Sequence, residues 1–136
     1  MAIPRFIDHV DLRVRNLAAS TPFYDAFMTA LGLHRITPDD STEWTGYAYG
    51  DEKPLPTPFF GLIPDPAHAG GANRIAFAAD SRREVDRVAA AVVAAGAAHV
   101  EGPELCADYH ESYYAVFFED MDGNRFEVVC HRAEAG

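Results

Sequence analysis

The chain repeats itself at about half its own length. His9–Val14 overlies Arg74–Ala79 at a spacing of 65 residues, and each segment leads into a helical stretch that ends on a glycine, Gly32 and Gly96, 64 residues apart. Further on, Phe60-Gly61-Leu62-Ile63 overlies Phe126-Glu127-Val128-Val129 at a spacing of 66. So steady an offset implies one supersecondary unit duplicated within a single domain. It sets His9 opposite Arg74 and Gly61 opposite Glu127, and these four positions are where the chemistry is to be sought.

Periodicity supplies the elements. Residues 6–14 alternate, with Val10, Leu12 and Val14 on one face and Ile7, His9, Asp11 and Arg13 on the other, as a strand with one dry face does. After Asn16 the pattern becomes helical through Phe23, Phe27, Ala30 and Leu31, with Pro22 read as lying near the helix start and Gly32 ending it. Strands are expected at 34–37, 43–50 and 57–63. A Pro/Ala/Gly-rich connection follows over Pro64–Gly71. The second half opens with a strand at 73–79, then a helix announced by Ser81 and Glu84 as a capping box and ended by Gly96. Strands at 98–100, 113–119 and 125–131 complete it, with a loop over Gly102–Ser112 and a hairpin at Asp120–Asn124. The fold class is therefore α+β: two βαβββ modules, about 5–63 and 72–131 with a linker over 64–71, forming a cupped mixed sheet with the helices outside.

Composition narrows the functions. Eleven basic residues against 21 acidic give a formal charge of −10, which argues against nucleic acid and anionic membranes as partners and suits either simple solubility or attraction of a cationic ligand. Met1–Phe6 carries no apolar run after its basic residue, so no secretory signal is expected, and no stretch approaches a membrane span. Two cysteines without CxxC spacing fit a reduced, cytoplasmic protein, with Cys130 expected to be a buried apolar residue because it alternates in phase with Phe126 and Val128.

Ile7-Asp8-His9-Val10, Phe23-Tyr24, Leu31-Gly32-Leu33, Arg74-Ile75-Ala76-Phe77 and above all Tyr113–Glu127 resemble the vicinal oxygen chelate superfamily, which includes glyoxalase I, extradiol dioxygenases, methylmalonyl-CoA epimerases, and fosfomycin and bleomycin resistance proteins. The resemblance implies a cup holding a divalent metal through the first and last strands of each half, with His9 and Glu127 as matched ligands. It departs at Arg74, where a histidine is usual, and at Gly61, where a side-chain ligand is usual. It also implies a small-molecule ligand and a homodimer.

Several readings stay open. An Arg74–Glu127 ion pair beside His9 could replace the metal, or His68 or His110 could complete a metal site for a lyase or ring-cleaving dioxygenase. Arg74 could instead anchor an acidic group of a ligand, with Glu127 or His9 as a metal-free base, so that His9, Arg74 and Glu127 are the catalytic candidates. Tyr109, His110 and Tyr114 belong to a segment expected at the cup mouth as ligand-binding residues, or else Tyr114 packs with Phe118 while His110 and Glu111 face solvent. The cofactor is accordingly either none or a divalent ion.

Overall fold

The computed structural model describes residues 6–133; Met1–Arg5, read above for a secretory signal, lies outside the described residues. The elements run β1 (His9–Val14), α1 (Leu17–Ala30), β2 (His34–Arg35), β3 (Thr45–Ala48), β4 (Phe59–Pro64), β5 (Arg74–Ala78), α2 (Arg82–Ala94), β6 (Ala98–Leu105), β7 (Tyr114–Glu119) and β8 (Arg125–Cys130). They form two four-stranded mixed sheets, β1-β4-β3-β2 and β5-β8-β7-β6, each carrying one helix. The class is α+β with two βαβββ modules. Backbone contacts divide the chain into Met1–His68 and Ala69–Gly136, and each unit is described by itself. No helix among the described residues is long and apolar enough to cross a membrane.

The duplication holds down to hydrogen-bond register. In the first unit β1 runs parallel to β4 with His9 beside Phe59 and Asp11 beside Gly61; in the second, β5 runs parallel to β8 with Arg74 beside Arg125 and Ala76 beside Glu127. Both helices close alike. Gly32 and Gly96 adopt positive φ, 91° and 101°, and the next residues, Leu33 and Ala97, donate back to Met28 and Val92. This pattern is a Schellman cap, which glycine enters without a Cβ penalty.

Both helices start where the sequence places them, after Asn16 and at Ser81, and only the details of their first turns differ from expectation. Asn16 caps α1 by accepting from Ala19 N–H at 2.9 Å, so Pro22 falls in the second turn and leaves the Ala18 carbonyl without its usual donor. At α2, Ser81 accepts from Glu84 N–H at 3.1 Å, while Glu84 reaches past the cap residue to Asp80 N–H at 2.9 Å.

Each helix buries one stripe on its own sheet. Phe23, Tyr24, Phe27 and Met28 pack with Tyr47, Phe60 and Leu62 in the first unit; Val85, Val88 and Val92 pack with Val116, Phe118, Phe126 and Val128 in the second. Each such side chain contributes about 1.5–3 kcal/mol by leaving water. Cys130 is fully buried, as its phase predicts.

The expected strand at 98–100 in fact continues to Leu105. It does so by slipping register twice, between Ala98 and Glu101 and between Glu101 and Glu104, with His99 at φ 51° and Gly102 at φ 85°. Bulges of this kind are invisible to a search for strict alternation.

Candidate functional site

The sheet faces turned away from the helices carry His9 and Gly61 in the first unit and Arg74 and Glu127 in the second. In the first unit His9 stacks flat on Phe59, ring centroids 4.6 Å apart and 2° from parallel. Its Nδ1 lies 2.8 Å from Asp8 Oδ1 and its Nε2 lies 3.7 Å from Asp11 Oδ2. The imidazole is thus lodged between two carboxylates on an aromatic shelf.

Gly61 has a positive structural role. It pairs with Gly46 across β3 and β4, and the Trp44 ring lies over both. A Cβ on Gly61 would stand 3.5 Å from Trp44 Cε3 and 3.3 Å from Asp11 Oδ1, and one on Gly46 would collide with the indole. Trp44 also meets Phe59 edge-on at 5.5 Å. The position that resemblance assigns to a ligand is the seat of an indole. Trp44 was legible only as a strand aromatic, because nothing in its spacing reveals a cross-strand glycine pair beneath it.

In the second unit Glu127 is buried at 6% exposure between Ala76 of β5 and Phe117 of β7. The expected Arg74–Glu127 ion pair is not among the ion pairs of the described residues. Glu127 instead accepts a hydrogen bond from the Tyr113 hydroxyl. Arg74 lays its guanidinium 5.0 Å above the Phe117 ring, a cation–π contact that occupies it differently. Burial first, and then this bond to Glu127, push the Tyr113 hydroxyl well above the usual tyrosine range.

Tyr113 is enclosed by rings: Tyr109 at 4.7 Å, His110 at 5.4 Å and His131 at 5.0 Å. The two histidines are joined, His110 Nε2 to His131 Nδ1 at 2.7 Å, while Ser112 N–H donates to His110 Nδ1 at 3.0 Å. Since His110 Nδ1 accepts, its Nε2 carries the proton and donates to His131. Both of its nitrogens are thereby engaged, and His110 brings no free ligand to Glu127.

Tyr114 is placed elsewhere. Its hydroxyl donates to Asp86 of α2 at 2.6 Å and Arg82 covers its ring at 5.2 Å, on the helix side with Phe118, while His110 and Glu111 are exposed. His68 belongs to the first unit, where its carbonyl accepts from Arg15 Nε at 2.6 Å.

A groove of about 630 Å³ opens beside Arg74, walled by Phe117 and Tyr109 and edged by Glu101, Glu104 and Asp108. Its acidic edge comes from the β6 bulge. Glu101 pairs with Phe117 and Glu104 with Ala115, three residues on one strand against two on the other, so both carboxylates reach the same face. Strict alternation would have set them on opposite faces. Cys106 lines the groove, and burial first, then Glu104 and Glu127, push its thiol up, away from the thiolate a nucleophile needs. A second hollow of about 600 Å³, between the start of α1 and residues 39–45, is lined by none of the predicted residues.

A resident divalent ion does not fit these side chains. Gly61 offers no donor, Arg74 is a permanent cation, and one oxygen of Glu127, the remaining carboxylate, is already taken by Tyr113. Among the described residues no group of three or more histidines, cysteines and carboxylates could hold a metal.

The sequence profile of the Glyoxalase/Bleomycin resistance protein/Dioxygenase superfamily matches residues 6–128. No curated protein sequence matches the chain. Among solved structures, a glyoxalase/bleomycin resistance protein from Albidiferax ferrireducens T118 is 27% identical, with a TM-score of 0.74, over 95% of this chain and 100% of that one. A glyoxalase/bleomycin resistance protein/dioxygenase family enzyme from Burkholderia phytofirmans PsJN (20% identity, TM-score 0.67, 92% and 98% covered) shares the fold. So does the fosfomycin resistance protein FosX from Mesorhizobium loti (18%, TM-score 0.63, 94% and 93%).

Proposed function

Because the chain belongs to the Glyoxalase/Bleomycin resistance protein/Dioxygenase superfamily, we propose that it is a metal-independent binding protein for a small, cationic molecule with a planar group, held in the groove beside Arg74 and Phe117. The observation that carries this reading is the guanidinium of Arg74 over the ring of Phe117 in a groove edged by three carboxylates. That wall already accepts a flat cation. Glu101, Glu104 and Asp108 outnumber the single arginine, and the formal charge of −10 favours approach of positive guests. Tyr109 supplies a second aromatic surface, and the outer edge of Arg74 offers donors to an acceptor on the guest. Homodimerisation belongs to the same reading and is checked by light scattering.

Calorimetry against bleomycin-class glycopeptides and simpler planar cations tests the proposal. Binding should weaken several-fold in the Glu101→Gln/Glu104→Gln double variant and fall with added salt. No binding of any of these cations at millimolar concentration would refute it.

A further inference from the structure

We propose that Tyr113 stands in for a metal at Glu127, so that the last-strand carboxylate of the second unit works as half of a phenol–carboxylate pair. A buried carboxylate needs a compensating charge or hydrogen-bond donor, because its desolvation otherwise costs several kcal/mol. Three sources are conceivable at Glu127: a cation in the groove, a neighbouring arginine, or a donor from the chain. Arg74 shares the sheet face but spends its guanidinium on Phe117. The donor is Tyr113.

The loop before β7 is built to deliver that hydroxyl. Cys106 N–H bonds the Tyr113 carbonyl, Tyr109, His110 and His131 enclose its ring, and the chain from Ser112 N–H through His110 to His131 fixes two of those walls against the end of β8. A side chain with so many contacts is a standing partner of Glu127, and a cation that takes the Oε2 oxygen must displace it. Tyr113 is therefore a positioning residue, which fixes Glu127 as an acceptor facing the chain and competes with metal ions for its Oε2 oxygen. This rests on the reading of the protein as metal-independent, and on the Tyr113–Glu127 geometry.

The decisive experiment supplies the missing donor and then opens the latch. Wild type, R74H, R74H/Y113F and R74H/Y113F/E127Q are titrated with nickel, zinc and manganese by calorimetry, with circular dichroism confirming the fold of each. The expected result is no Glu127-dependent binding in wild type or R74H, a gain of about tenfold or more in R74H/Y113F, and its loss when E127Q is added. If R74H/Y113F does not fold, R74H/H131A, which removes one wall around the phenol, carries the same expectation. Wild type or R74H binding metal as tightly as R74H/Y113F would overturn the proposal, and so would R74H/Y113F binding no better than R74H. Metal affinity is read separately from binding of organic cations, so failure here leaves the groove's guest to be judged on its own titration.

Discussion

The indole of Trp44 lies against Gly46, where an added Cβ would run into the ring. Gly46 is paired with Gly61, so a broad aromatic plane rests on two residues that have no side chains. In the second unit the equivalent pair is Phe117 and Glu127, and there the aromatic partner reaches in from the preceding loop as Tyr113. Both last-strand positions are thus held by an aromatic residue of the chain itself, by packing in one unit and by a hydrogen bond in the other.

The glycine pair predicts a graded response. Gly46→Ala forces the indole to shift and should cost about 1–3 kcal/mol, the usual range for overpacking. Gly61→Ala, whose nearest neighbours stand at 3.3 Å and 3.5 Å, should cost less than half as much. Trp44 is the single tryptophan, so its emission reports the site directly: it should move to the red in Gly46→Ala and hold nearly still in Gly61→Ala. Equal shifts in both would show that the ring is not seated on Gly46.

The repeat made most of this architecture legible, because alternation, helical stripes and terminal glycines are local signals. What escaped was cross-strand. Glu101 and Glu104 join one face only through the β6 bulge at Gly102, and Tyr113 finds Glu127 only once β7 and β8 are paired. The expected Arg74–Glu127 ion pair failed for the same reason: proximity on one sheet face could be read, whereas the competition of Phe117 for the guanidinium and of Tyr113 for the carboxylate could not. Its place beside the loop suggests ligand binding for Tyr114, yet the parity of β7 turns it to α2.

Two tyrosines should make stability fall in alkali. Burial first, and hydrogen bonds to Glu127 and Asp25 second, raise Tyr113 and Tyr47 above their ordinary value of about 10. A raised folded-state value means that the neutral phenol is favoured by the fold; its contribution is complete below about pH 10 and is lost as pH rises towards the folded-state value. Tyrosinate absorbance should therefore show two late-ionising residues, and Tyr113→Phe should remove one of them and flatten the alkaline loss of stability. Ionisation of all tyrosines in one step near the ordinary value, with the protein still folded, would contradict these two hydrogen bonds.

The β7–β8 turn depends on one carboxylate. Asp120, 3% exposed, accepts from the backbone N–H groups of Asp122 and Asn124 at 2.8 and 2.9 Å and from Asn124 Nδ2 at 2.8 Å. Asp120→Ala strands these donors and should cost about 2–4 kcal/mol. Hydrogen exchange should quicken at the Asp122 and Asn124 amides beyond the global loss of stability.

With a cation bound in the groove as proposed, the β6 bulge ties stability to binding, and glycine substitutions separate the two costs. Gly96 and Gly102 both hold positive φ, 101° and 85°, so alanine is strained at each by about 1–2 kcal/mol. At Gly96 a Cβ meets nothing within 4 Å, whereas at Gly102 it would lie 2.7 Å from the Ala115 carbonyl and 2.9 Å from Glu104 N. Gly96→Ala should therefore show the strain alone, with guest affinity unchanged. Gly102→Ala should lose at least about 1 kcal/mol more, because backbone atoms cannot rotate aside as a side chain does. Relief of that contact should move β6 against β7, separate Glu101 from Glu104 and weaken the proposed cation binding. Chemical denaturation and calorimetry on the same two variants provide both readings, and equal penalties in stability and affinity would show that the bulge does not set the groove's acidic edge.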